Sequence, residues 1–189
     1  MEHRPGRSGR SHAGRAERVD GQRGAATLEA TLVVGLLLLL AIGAFEYGMA
    51  FRDWLSVASA SREGARVAAA AGDAGTADCL VLEATAGSLF GNIPNEEVAA
   101  VNIYQSNAAG DQLATNSYRP ARTDDNVNLV CSGGWVWLSV GFDPAARSEG
   151  SWIGVEVEFD HHWHTGFLWF TGSAQWGEAT VMRVEPDGA

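Results

Sequence analysis

Residues 25–45, AATLEATLVVGLLLLLAIGAF, form an apolar run broken only by Glu29 and two threonines. At 1.5 Å per residue a helix of this length covers roughly 30 Å, about one hydrocarbon thickness. The run is therefore long enough to span a bilayer, and it fixes a helix at the front of the chain. Glu29 is the anomaly. An acidic side chain costs on the order of 2–3 kcal/mol near the middle of a spanning helix and less near its end. A carboxylate kept there calls for a reason.

Charge sets the expected orientation. Residues 1–24 hold six arginines against Glu2, Glu17 and Asp20, whereas the remainder holds seven arginines against twenty carboxylates; the chain has no lysine. A basic segment directly before an apolar one places the N-terminus in the cytoplasm by the positive-inside rule. Residues 1–23 carry almost no large apolar side chains and are expected to be disordered. The acidic remainder excludes a nucleic-acid partner, whose phosphates require a basic surface.

The helix is expected to continue past the apolar run. Residues 46–71 lack proline and are dense in alanine, and Gly72 suits the position just after a helix end. One helix is thus predicted over residues 25–71. Ala58, Ser61, Ala65 and Ala69 lie near one face and permit close packing, and Glu63 and Arg66 have i,i+3 spacing. A second, short helix is expected over 77–89, with Asp73 or Thr76 as its cap. Strands are expected over 97–106, 134–142, 152–159 and 177–185. Ile153, Val155, Val157 and Phe159 form the apolar face of the third strand. Residues 107–127 read as a loop or an edge element, residues 171–177 as a turn, and the aromatic stretch 161–170 as a loop against the core or the membrane. The predicted class is α+β: a long N-terminal helix, membrane-spanning in its first half, packed on a small, mostly antiparallel sheet.

Cys79 and Cys131 are the two cysteines, and both fall in the part placed outside the cytoplasm. An oxidising compartment favours a disulfide between them; the alternative is two unrelated buried thiols. His161, His162 and His164 are candidate metal ligands, since on a strand His162 and His164 share a face. No cysteine or well-placed carboxylate completes that set, so neither a metal nor another cofactor is expected. Trp135, Trp137, Trp152, Trp163, Trp169 and Trp176 belong either to the core or to an interface with protein partners or the membrane surface. The chain contains no nucleophile elbow, P-loop, H-E-x-x-H or dinucleotide fingerprint, and no enzymatic activity is expected.

No A-x-A exit follows the apolar run, as a conventional signal peptide would require. There is instead a distinctive entrance: a basic leader, Gly24, Ala25, and Glu29 as the fifth residue after Gly24. This resembles the processing site of type IV prepilins and pseudopilins. The resemblance implies a cut after Gly24 by a membrane-embedded prepilin peptidase. It also implies a pairing of Glu29 with the new α-amino group, that of Ala25, on an adjacent subunit.

The block Glu46-Tyr47-Gly48, followed by Ser61-Arg62-Glu63-Gly64-Ala65-Arg66, is similar to the TadE-like family, minor pseudopilins of tight-adherence pili. The terminal stretch 179–186, ATVMRVEP, resembles that family's last strand. The resemblance implies a minor subunit in pilus assembly, with pilin-type subunits, the assembly machinery and membrane lipid as partners. Ala30, where the major subunits have tyrosine, and the length of the chain favour a minor subunit. The implied organisation is a cleaved cytoplasmic leader (1–24), a transmembrane helix (25–45), its extracytoplasmic continuation (46–71) and an extracytoplasmic α+β domain (72–189). The competing reading is a membrane-anchored extracytoplasmic binding protein with no pilus role.

Overall fold

The computed structural model describes residues 16–89, 93–148, 150–166 and 171–185, with backbone alone for 16–23. The basic residues before Ala16, together with Trp169 and Pro186, lie outside the described residues. Helix α1 covers Ala16–Ala70 and α2 covers Ala77–Leu89; six strands follow, β1 (Val98–Ser106), β2 (Gln112–Pro120), β3 (Leu129–Val130), β4 (Trp135–Ser139), β5 (Trp152–His162) and β6 (Ser173–Arg183). The chain divides into two compact units, Met1–Phe45 and Glu46–Ala189.

In the first unit, α1 begins at Ala16 rather than in the apolar run. The expectation of disorder through residue 23 is thereby corrected: helical hydrogen bonding propagates backward from a strong nucleus at low cost per residue. The leucines are exposed all round, including Leu28 at 68%, Leu32 at 70% and Leu40 at 58%. The most apolar 18-residue window of the helix has mean hydropathy 2.4, and none of it is buried. Thr31 donates to the Thr27 carbonyl at 2.8 Å, so its hydroxyl needs no solvent. Among the described residues, this helix alone is long and apolar enough to cross a membrane.

In the second unit, α1 buries Glu46, Ala50, Asp53, Val57, Ala60, Ser61, Gly64, Ala65 and Ala68, a stripe at helical spacing. The helix ends where Gly72 adopts φ 56°, a left-handed conformation that costs glycine nothing. The sheet is antiparallel throughout, in the order β3-β4-β2-β1-β5-β6. Both helices and the sheet share one core: Val57, Val81, Leu82 and Leu89 pack with Val101, Ile103, Ile153, Val155, Val157 and Phe159. Burying each such side chain contributes roughly 1.5–3 kcal/mol. On the other face of the sheet, Asn102 donates to Glu156 and Glu158 and accepts from Ser117. The fold is α+β with an antiparallel sheet, as the hydropathy pattern predicted.

Three expectations are corrected. Residues 112–120, read as a loop or an edge, form β2, which lies inside the sheet between β1 and β4. Its inward positions include Asn116 and Tyr118, whose polar groups are satisfied by the buried Asp78 carboxylate, so no apolar alternation marks the strand. His161 and His162, assigned to a loop, continue β5, and residues 173–177, assigned to a turn, open β6. Register supplies the reason: β5 and β6 pair without interruption from Trp152↔Arg183 to His162↔Ser173. Each strand thus gives the other ladder partners that local sequence cannot reveal.

Candidate functional site

Gly24, Ala25 and Glu29 are all exposed on α1. A side chain at Gly24 would meet nothing within 4 Å, so the glycine is not required by packing. Ala25 and Glu29 stand i,i+4, on one face of the helix and one turn apart. An α-amino group created at Ala25 would therefore share a surface with the carboxylate. The 24–25 bond lies within α1, which would have to unwind locally there to enter any protease.

The block around Arg62 splits into two roles. Gly64 is buried, and a Cβ there would come 2.5 Å from Thr85 Oγ1 and 3.0 Å from Val155 Cγ1. This glycine lets α1 approach both α2 and β5. Glu63 and Arg66 form a two-bond ion pair at 2.5 and 2.9 Å on the surface, and Arg62 is exposed beside them. Hydrogen bonding to Arg66 holds the Glu63 carboxyl below its ordinary pKa.

The E-Y-G block is more deeply involved in the domain than its sequence suggests. Glu46 is fully buried and accepts N–H bonds from His164 (3.1 Å) and Thr165 (2.5 Å). Burial pushes its pKa up and is the largest single influence, but the bonds from Thr165 and His164 together outweigh it, so the net shift is downward. One turn further on the same face lies Ala50, and then Asp53, whose Oδ2 stands 2.9 Å from His161 Nδ1. Both side chains of this pair are nearly inaccessible, at 5% and 1%. Arg52 also donates to Asp53, at 2.8 and 3.1 Å. The His161 ring stacks on Trp176 at 5.4 Å and meets Trp163 edge-on at 4.9 Å. Helix α1 thus grips the β5–β6 end through two buried carboxylates.

The same arrangement fixes the place of the histidines. β5 ends at His162, so His162 and His164 do not share a strand face. His161 is committed to Asp53; His162 is exposed, with Nδ1 3.2 Å from the Asp160 carbonyl. Among the described residues no group of three or more metal-capable side chains converges. Asp53 was not singled out from the sequence; its signal was a carboxylate at an inward position of the helix, seven residues after Glu46.

Cys79 and Cys131 form a disulfide, with Cα atoms 5.2 Å apart. Beside it, Asp78 accepts from Asn116 (2.9 Å) and Tyr118 (2.5 Å) and pairs with the buried Arg147. Burial first, then the Asp78 hydrogen bond, raises the Tyr118 pKa. This network joins α2 to β2 and to the segment after β4, and is structural.

None of the curated proteins and none of the solved structures compared with the chain matches it. Residues 24–66, from the glycine before Ala25 to the last arginine of the second block, match the family model described as TadE-like protein.

Proposed function

We propose that the chain is a minor, pseudopilin-like component of a tight-adherence pilus, inserted N-in and C-out and cut after Gly24 by a prepilin peptidase. One observation carries the reading. The TadE-like match starts at Gly24, where a basic leader meets an exposed apolar helix bearing Glu29 five residues on. The role is structural, not enzymatic: α1 anchors and assembles, and residues 46–189 form the domain it presents outside. Pilin-type subunits supply the contact for Glu29, and lipid surrounds residues 25–45 before assembly.

The test is co-expression with a prepilin peptidase, followed by N-terminal sequencing of the membrane fraction. The mature chain is expected to begin at Ala25. A start at Met1, or beyond Phe45, overturns the proposal.

A further inference from the structure

β6 is the long edge of the sheet: it stands at one end of the strand order and pairs with β5 alone, whereas the other edge, β3, is two residues long. The phase of its backbone follows from the two ends of the ladder. Trp163 N–H donates to the Gly172 carbonyl at 3.2 Å, and Val184 N–H to the Ser151 carbonyl at 2.8 Å. Bonded pairs alternate in an antiparallel ladder, so Ala174, Trp176, Glu178, Thr180 and Met182 turn their backbone groups to β5. Gln175, Gly177, Ala179 and Val181 turn theirs outward, and among the described residues no backbone bond reaches them. Edge strands are ordinarily blunted by shortness, bulges or proline. β6 has 11 residues, no proline and no register shift against β5.

Each side of that edge carries its own chemistry. Thr180 Oγ1 lies 3.0 Å from Ser61 Oγ, so the even-numbered side chains of β6 face α1. On that side Phe51, Trp54 and Trp176 line an open groove of about 610 Å³ that also borders Gln175 and Gly177. A strand laid on β6 would send every second side chain toward it. On the other side stand Glu158, opposite Gly177, and Glu156, opposite Ala179. A Cβ at Gly177 would lie 3.6 Å from Glu156 Oε1 and 3.6 Å from Glu158 Cγ. Gly177 and Ala179 thus put no long side chain between these carboxylates and the free edge. Their bonds come from the neutral amides of Asn102 and Gln112, and among the described residues neither has a cationic partner. Glu178, on the α1 side, adds a third carboxylate.

We infer that β6 takes an extended segment of another protein as a seventh, antiparallel strand, with apolar side chains in the α1 groove and lysine or arginine over Glu156 and Glu158. The backbone edge sets the extended form, the groove sets the apolar positions, and the carboxylates set the charge. Like charge disfavours a second copy as the occupant, since residues 25–189 hold seven arginines against twenty carboxylates. The surface lies wholly within residues 46–189 and requires no particular placement of the apolar helix.

The experiment uses the full chain in phosphatidylcholine nanodiscs, with empty discs as the blank. The probe is a fluorescein-labelled peptide, Lys-Thr-Lys-Leu-Lys-Leu-Lys. In antiparallel register it sets threonine opposite Glu178 and the leucines opposite Trp176 and Ala174. One control peptide has glutamate at every lysine position. The other carries N-methyl groups on its inner lysines, which removes the donors that face β6. Fluorescence anisotropy is expected to show the lysine peptide binding about tenfold tighter than either control. Ala179→Pro removes an outward N–H without touching the bonds to β5, and is expected to weaken the lysine peptide about tenfold. Hydrogen exchange resolved by residue is expected to show Gln175, Gly177 and Ala179 slowed by the peptide, with Trp176 and Glu178 slow from the start. Equal binding of either control peptide, or no binding of the lysine peptide, overturns the inference. So does slowing at Gln175, Gly177 and Ala179 that grows with chain concentration and needs no peptide, which would assign the edge to a second copy. Should Ala179→Pro fail to fold, the N-methylated peptide carries the same test on the native chain.

Discussion

Asp53 Oδ2 lies 2.9 Å from His161 Nδ1, joining the buried face of α1 to the last inward residue of β5. The two residues are 108 apart in sequence, and nearly all of both side chains is withdrawn from solvent. Removing one member leaves the other desolvated without its partner. Asp53→Ala is expected to destabilise the domain by about 3–5 kcal/mol. His161→Phe keeps an aromatic ring against Trp176 and leaves Asp53 its bonds from Arg52, so it is expected to cost less, about 1–3 kcal/mol. Urea unfolding followed by tryptophan fluorescence compares them. A larger loss for His161→Phe would show that ring chemistry, not the carboxylate, dominates.

Glu46 gives the domain an acid-sensitive contact. Burial opposes its charge, but the His164 and Thr165 bonds bring its pKa below the ordinary 4.5. A carboxylate with a lowered folded-state pKa stabilises above its unfolded value, and that stabilisation fades as pH falls through the folded value. Wild type is therefore expected to melt above Glu46→Gln at neutral pH, with the gap closing below pH 4.5. Melting curves of both proteins across that range check it; a gap independent of pH would rule out the charged form.

These two carboxylates also mark where the sequence stopped being legible. Alanine density and Gly72 made α1 readable, and the cap candidates Asp73 and Thr76 did so for α2, since these are local properties. The alternation of Ile153, Val155, Val157 and Phe159 did the same for most of β5. The polar inward positions were opaque. Asn116 and Tyr118 read as loop residues because Asp78, their partner, comes 38 and 40 residues earlier. His161 read as a possible ligand because Asp53 is further away still. The Gly24–Ala25–Glu29 pattern was visible because its elements stand within six residues, whereas the burial of Glu46 depended on a turn 118 residues later.

Gly64 has a packing reason to be glycine. A Cβ would sit 2.5 Å from Thr85 Oγ1, and Thr85 is fully buried with its hydroxyl bonded to the Val81 carbonyl at 2.8 Å. Gly64→Ala gains about 1 kcal/mol of helix propensity. Overpacking costs about 1–3 kcal/mol, so a net loss is expected. The double change Gly64→Ala with Thr85→Ala removes the nearest clash and should recover stability relative to Thr85→Ala alone. Denaturant midpoints of the four proteins complete the cycle; strict additivity would mean the two sites are not in contact.

The Cys79–Cys131 bridge closes a separation of 52 residues between α2 and the turn before β4. The loop-entropy relation assigns such a closure about 4 kcal/mol. The turn also holds Cys131 and Ser132 at φ 52° and 60°, which non-glycine residues adopt at a cost. Replacing both cysteines by alanine is expected to lower stability by about 3–4 kcal/mol, with local exchange rising first in residues 128–133. Hydrogen exchange resolved by segment tests this. Uniform loosening of the whole sheet would contradict a local role.

Ala25 and Glu29 lie one helical turn apart on one face, so the proposed cut would place a cationic amine beside, or across a subunit contact from, a carboxylate. Near the end of the apolar run the carboxylate costs less than at the bilayer centre, and insertion should tolerate either form. Glu29→Ala is therefore expected to insert normally and to fail in pilus incorporation. Blocking the cut by changing Gly24 removes the amine instead, and should produce the same assembly defect. If amine and carboxylate act only as a pair, the double change is no worse than either single one. Membrane fractionation and pilus yield in the three variants decide the matter. Unchanged piliation in Glu29→Ala, or additive defects in the double variant, would separate the carboxylate from the new N-terminus and leave Glu29 without its explanation.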